Sequence, residues 1–447
     1  MNRTTTRPGH RAAALATLAA GCAALLVACA WWAGITTSPP SALGKDRAGV
    51  VPAAVSDPSG GNFVGTRTTN TALRFGDGSY LNDLKYLRGV NIYSLIFAGK
   101  QSDLSVLGEP QASYTYLASR GVKIVRLAVP WQRLQEIPEG GDALAGLAQP
   151  ISQAYLEVVA EQVRRASAAG IRTVIDLHNG CTYPWGAGDY VSGSLRCGSG
   201  ITQTHVRTLW RAIATKFKYD ERVAGFDIFN EPRWSVGVDA YKLYAQVAVD
   251  AIRSTGDTHT IWVEGMLSEE RGRIATIAPE GPWIVDRLGK IMYSEHFYDN
   301  ENGDVYDSSV DHSKVLSQLK AFGDWCRKWG VRCSVGEVGW PSGGTDGAQS
   351  LTSATQWNAL FEKFYDLADY YAMDVTYFAA SSSTKTGTLL AYVSTAPGIP
   401  LEERHRQGAL AEQDHRGASL GPAVARLRRS PGVRGRRGFS VRISWRR

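Results

Sequence analysis

Two stretches of the chain decide how the rest is read: VAGFDIFNEPRW at residues 223–234 and RCSVGEVGW at residues 332–340. Each opens with residues suited to a short strand and ends on a polar tip, Asn230-Glu231-Pro232 in the first and Gly336-Glu337 in the second. Working outward, the same form recurs at 86–96, 122–129, 171–178, 260–266, 290–298 and 374–380, for eight strands in all. Patterns of helical period separate them near 108–119, 151–169, 202–217, 238–254, 312–329 and 354–372, with a weaker one near 279–288. Strands apolar on both faces that alternate with helices imply a parallel sheet covered on each side. Eight such units over about 320 residues predict an α/β fold of the (β/α)8 TIM-barrel type. An open doubly wound sheet is the competing architecture. It would normally carry a Gly-x-Gly-x-x-Gly turn after its first strand, and none stands there.

A barrel of this kind builds its active site at the C-terminal strand ends. The polar residues there are Arg126 on strand two, Asp176 and His178 on strand three, Asn230 and Glu231 on strand four, Glu295, His296 and Tyr298 on strand six, and Glu337 on strand seven. Glu231 and Glu337 face each other across the mouth, and a carboxyl pair is the minimal equipment for cleaving a glycosidic bond. One must hold a proton while the other stays ionised. Arg126 on the same rim would keep Glu337 charged, Tyr298 would donate to that carboxylate, and Asn230 would hold a sugar hydroxyl.

The motifs VKIVRLAVPW, VIDLHNG, GFDIFNEPRW, SEHFY and GEVGWP, in this order, resemble glycoside hydrolase family 5 over about residues 85–382. The resemblance implies a retaining barrel glycosidase of the cellulase type. It implies Glu231 as acid/base, Glu337 as nucleophile, and Arg126, His178, Asn230, His296 and Tyr298 as groups that shape the site. The chain departs from the family at strand eight, where such enzymes place a Trp under the cleaving subsite. Here Thr376-Tyr377-Phe378-Ala379-Ala380 offers Tyr377 or Phe378 instead. Trp340 and Phe378 are therefore expected among the substrate contacts, with Trp131, Trp185 and Trp234 as further loop indoles for sugar stacking.

Bland alternatives stand beside these readings. Asn-Glu-Pro alone would serve equally as a helix-start turn. His178 or His296 alone would more often be a packed histidine. The sequence has no His-x-His or His-Glu-x-x-His cluster, so neither a metal nor another cofactor is expected. A catalytically silent carbohydrate-binding barrel is the alternative from a different class.

Composition bounds the setting. With 447 residues, 44% hydrophobic and 20% charged, the chain can bury a large core. Its formal net charge is +7, yet residues 401–447 alone hold twelve Arg against four acids. The first 400 residues thus carry 37 basic and 38 acidic groups, so charge gives no reason to expect a nucleic-acid partner. The expected partner is a polysaccharide or oligosaccharide, bound by a monomer.

Residues 1–35, with Arg3, Arg7 and Arg11 before an apolar run, are expected to direct export as a cleaved signal, a membrane anchor or a lipoprotein leader ending at Cys29. Residues 36–62 form a linker rich in Ser, Thr, Pro, Ala and Gly, and 63–400 the catalytic domain. The Lys-free tail 401–447 would be a basic arm, a disordered extension or out-of-frame sequence. Cys181 with Cys197, and Cys326 with Cys333, are spaced for disulfides rather than for zinc.

Overall fold

The computed structural model describes residues 86–97, 103–119, 121–184, 194–267, 269–299, 306–340 and 351–380. The expectations for the leader, linker and Arg-rich tail, and for Trp185, lie outside these residues. No helix among the described residues is long and apolar enough to cross a membrane.

Eight parallel strands close into a barrel: β1 Arg88–Ile92, β2 Ile124–Val129, β3 Arg172–Leu177, β4 Val223–Asp227, β5 Thr260–Glu264, β6 Ile291–Tyr298, β7 Arg332–Gly339 and β8 Asp374–Ala380. Each pairs with its neighbours in sequence, and β8 pairs with β1 to complete the ring. Among the described residues, six longer helices lie on the connections: α1 Gln111–Ser119, α2 Gln153–Ala168, α3 Gln203–Phe217, α4 Val238–Ser254, α5 Lys314–Trp329 and α6 Leu351–Tyr370. Their caps are local chemistry. Ser152 accepts the Tyr155 amide to start α2, and Thr202 with His205 forms a reciprocal capping box for α3. Gly330, at φ 63°, ends α5 in the left-handed conformation that glycine adopts without strain.

The helix expected near 279–288 does not form. Only two short helical turns, Glu269–Gly272 and Ile274–Ile277, connect β5 to β6. Pro279 and Pro282 lack the N–H a helix needs, and Gly281 at φ 109° turns against the Trp329 ring.

Side chains two apart on a strand share a face, and inside the barrel that rule stacks a polar layer on an apolar one. Leu87, Ile124, Val174, Ala224, Trp262 and Met292 form a separate buried cluster. Two residues further along β2, β3 and β5 stand Arg126, Asp176 and Glu264, all buried. The outer faces of the strands pack on the helices, as with Val125, Leu127, Ile175 and Val263 in the main core.

Among the described residues, two disulfides form, Cys181–Cys197 and Cys326–Cys333. The first closes the loop after β3, where Thr182–Tyr183, Leu195–Cys197 and Gly200–Ile201 make a small separate sheet.

On β7 the register with β6 slips by one residue, so that Val335 faces Glu295 while Glu337 faces His296. Gly336 is the extra residue, and such a bulge re-aims the side chain that follows it. A Cβ on Gly336 would stand 2.6 Å from Ser294 Oγ and 2.7 Å from His296 Nε2. Gly336→Ala is therefore expected to fold but to displace His296 and lower turnover by about 10²-fold, the scale of a misplacement near 1 Å. Circular dichroism alongside kinetics checks this, and wild-type turnover in a folded variant would contradict it.

Candidate active site

Arg126 lies at the centre. Its side chain is fully buried, and its five N–H groups are all used. Nε donates to Asp227 at 2.9 Å, Nη1 to Asn91 at 3.0 Å and Glu337 at 2.8 Å, and Nη2 to Asn230 and Glu264, both at 2.8 Å. A further carboxylate oxygen, of Asp176, stands 3.1 Å from Nη2. Sequence reasoning placed Arg126 on the rim among the substrate contacts. The structure instead sets it inside the barrel beneath the carboxyl groups, because the inward side chain of a mid-strand residue points into the interior.

Glu337 projects from the β7 bulge. Arg126 holds Oε1, and the Tyr298 hydroxyl donates to Oε2 at 2.6 Å. Both carboxylate oxygens are thus fixed in place by donors from β2 and β6.

Glu231 follows β4 with φ at 44°, a left-handed conformation that costs a non-glycine residue energy. Its peptide N–H donates to Glu264 Oε2 at 2.6 Å, and its Oε1 lies 2.9 Å from His296 Nδ1. The helix-start reading of Asn230-Glu231-Pro232 does not describe this turn, since α4 begins only after Gly237. Burial alone would raise the Glu231 pKa, but the hydrogen bond and charge of His296 outweigh it and bring the carboxyl down to about 2. His296 moves the opposite way. Burial disfavours its cation, yet Glu264, Glu337 and Glu231 around it push its pKa well above the ordinary histidine value. Both directions favour the proton of this pair on the imidazole.

His178 donates or accepts through Nδ1 with Asp176 at 2.7 Å, and its Nε2 lies 3.3 Å from the amide nitrogen of Asn230. Asn230 is buried and engaged at both ends, by His178 and Arg126. His178 and Asn230 are thereby brought together with Arg126 and the two glutamates.

Phe378 is half-buried, with its ring edge-on to Tyr93 at 5.3 Å and to Tyr298 at 6.3 Å. Tyr377 is buried against Trp340, so at strand eight it is Phe378 that stands beside the site. Trp340 does not serve as a sugar platform. It is 1% exposed, stacks on Phe361 at 4.5 Å and donates its N–H to Asn358. A residue one past the end of an inward-facing stretch points outward, and here that means into the packing of α6. Trp131 is buried likewise, with its N–H on Gln135. Trp234 stays half-buried, under the Arg271 guanidinium at 4.9 Å.

Sequence reasoning missed Asn91, Tyr93, Asp227 and Glu264. The available signal was a lone polar residue in an apolar strand, as in Val90-Asn91-Ile92, Phe226-Asp227-Ile228 and Trp262-Val263-Glu264.

One atom each of Glu231, His296 and Glu337 lies within 4.8 Å of the others. That spacing would suit a cation, but these atoms are engaged with one another and with Arg126 and Tyr298. The arrangement offers two carboxylates at short range, one clamped by two donors and one sharing a proton with a histidine.

The sequence model of the family described as Cellulase (glycosyl hydrolase family 5) matches residues 95–384. The chain is 27% identical over 289 residues to endo-beta-1,4-glucanase A of Emericella nidulans, covering 64% of this chain and 76% of that protein. It is 28% identical over 223 residues to the manganese dependent endoglucanase Eg5A of Phanerodontia chrysosporium, covering 48% of this chain and only 53%, about half, of that relative. Among solved structures, the endoglucanase Cel5A of Pseudomonas stutzeri is similar in fold with a TM-score of 0.56 at 21% identity, covering 73% of this chain and 93% of that one. An endo-beta-1,4-glucanase of Xanthomonas axonopodis pv. citri, carrying a triple mutation, gives a TM-score of 0.57 at 21% identity, covering 73% and 99%.

Asp227 supplies a pH test of the buried cluster. Burial first, then the neighbouring Glu264, outweighs Arg126 and pushes its carboxyl up to about 8. A raised carboxyl keeps its proton in the folded state after the unfolded chain has lost it. The contribution of Asp227 to folding stability therefore falls as pH rises from about 4, the ordinary carboxyl range, to about 8. Asp227→Asn mimics the protonated form and escapes that loss. Urea unfolding at pH 5 and pH 8 should show the variant gaining on the wild type with rising pH, and a constant difference would contradict the assignment.

Proposed function

The chain belongs to glycoside hydrolase family 5, and from that premise we propose that it hydrolyses β-1,4-glucan or a closely related β-linked polysaccharide with retention of configuration. The observation that carries the reading is the Glu231–Glu337 pair, one carboxylate oxygen of each lying within 4.8 Å of the other. Retaining enzymes keep their carboxyl groups about 5–5.5 Å apart, whereas inverting ones leave about 6.5–9.5 Å for a water.

In this mechanism Glu337, oriented by Arg126 and Tyr298, attacks the anomeric carbon as Glu231 delivers a proton to the departing oxygen. Water then enters, Glu231 takes one of its protons, and the bond to Glu337 breaks. Phe378 takes the place of the indole that relatives would set under the cleaving sugar, with Tyr93 and Tyr298 completing an aromatic wall. His178 and Asn230 brace the Glu231 side of the site. The relatives named as endoglucanases support internal cleavage of the chain. The two disulfides suit an oxidising compartment, which supports an exported enzyme that acts on polymer outside the cell.

A panel of β-1,4-glucan, β-1,3-glucan and β-mannan, followed by product sizing and proton NMR of the first-formed anomer, tests the proposal. The β anomer from β-1,4-glucan is expected. Binding without turnover across the panel would favour the silent carbohydrate-binding barrel. Glu337→Gln is expected to lose at least about 10³-fold in turnover, and Glu231→Gln about 10²–10⁴-fold, the range general acid catalysis supplies. Only the Glu231 variant should recover on aryl glycosides whose leaving group needs no proton. Equal recovery of both variants would reverse or dissolve the assigned roles.

A further inference from the structure

Glu264 ends β5 with its side chain 2% exposed, and it touches every part of the acid machinery. Oε1 accepts from Arg126 Nη2 at 2.8 Å and lies 3.0 Å from His296 Nε2, while Oε2 accepts the peptide N–H of Glu231 at 2.6 Å. The charged and titratable groups facing it are Arg126 from β2, Asp227 from β4, His296 from β6 and Tyr241 from α4, whose hydroxyl donates to the Glu264 carbonyl. His296 in turn faces Glu231 at 2.9 Å and Glu337 at 3.6 Å through Nδ1, and Glu264 through Nε2. Its neighbour Glu295 pairs with Arg273, which also donates to the His296 carbonyl. Nδ1 is hydrogen-bonded to Glu231, while Nε2 makes a 3.0 Å ion-pair contact with Glu264 that is not lined up as a hydrogen bond; with carboxylates on both sides of the ring, the imidazolium is the form they attract.

We propose that Glu264 is the positioning residue of the acid step. It fixes the Glu231 peptide in its left-handed turn, and it holds His296 as an imidazolium that stores the proton Glu231 delivers. The inference rests on the retaining-glycosidase reading, and its proton balance closes. The Nδ1 proton passes to Glu231 Oε1 and on to the glycosidic oxygen, as the bond from that oxygen to the anomeric carbon breaks and the bond to Glu337 forms. His296 is then neutral. In the second half, the attacking water gives its proton through Glu231 back to Nδ1, the glycosyl–Glu337 bond breaks, and both carboxylates and the imidazolium are restored. Glu264 touches neither sugar nor reacting atom, so it acts only through His296 and the Glu231 peptide.

Glu264→Gln removes the charge and keeps the size. The variant is expected to lose about 100-fold in kcat with KM within about 2-fold, since an interaction specific to the transition state is lost. The alkaline limb of its kcat profile should move to lower pH, because a Glu231–His296 pair without a third carboxylate gives up its proton sooner. A residue that merely supported the fold would lower kcat and thermal stability together with the limb unmoved, and that result overturns the proposal. A second readout needs no turnover. Nitrogen-15 NMR of the wild type should show both His296 nitrogens protonated at pH 7, with that state lost at lower pH in the variant. A neutral His296 in the wild type overturns the inference even if the variant fails to fold. A wild type inactive on every β-glucan but with a cationic His296 would refute the glycosidase reading while leaving intact the hold of Glu264 on the His296 cation.

Discussion

The site depends on one buried guanidinium. Arg126 has five hydrogens to give, and five different residues on five different elements receive them: Asn91 from β1, Asp227 from β4, Asn230 from the turn beyond it, Glu264 from β5 and Glu337 from β7. A planar fork of fixed geometry can satisfy such a set only when the strands stand in one register. The arginine is therefore both a counter-ion and a gauge of barrel closure. Breaking a buried charge cluster by removing one partner costs about 3–5 kcal/mol, a large share of what holds a domain folded. The apolar layer beneath, from Ile124 to Met292, keeps water from competing for those hydrogens.

Above this hub the two glutamates differ because their backbones differ. Glu337 leaves a β-bulge made possible by a residue without a side chain, and both its oxygens meet donors. Glu231 sits in a strained turn, its amide tied to Glu264 and its carboxylate to a histidine that is itself surrounded by carboxylates. Two chemically identical side chains thus acquire opposite tendencies. One is clamped by fixed cationic and hydroxyl donors, while the other shares a hydrogen bond with a histidine. The strain at Glu231 persists because Glu264, Arg126 and His296 together over-determine it.

Much of this was legible in the sequence. Strands apolar throughout, alternating with amphipathic segments, define a closed parallel barrel whatever the detail. Glu231 and Glu337 stood out because a charged residue at the end of such a strand has no packing role to fill. What escaped notice lies one layer deeper. Asp227 and Glu264 are single polar letters inside apolar runs, and only the closing of the ring shows that they point at Arg126. The reverse error concerns Trp340. An indole next to a catalytic strand end reads as a sugar platform, but the alternation of faces turns it outward onto Phe361. The weak helical pattern at 279–288 likewise yielded to the prolines within it.

A retaining mechanism requires Glu337 to form a covalent bond to sugar. Incubation with a 2-deoxy-2-fluoro β-cellobioside bearing a good leaving group slows the second half-reaction, so that the glycosyl-enzyme accumulates and can be digested and read by mass spectrometry. A single sugar adduct on the peptide carrying Glu337 is predicted. An adduct on Glu231 or elsewhere, or turnover of the unfluorinated glycoside with inverted configuration, would contradict it.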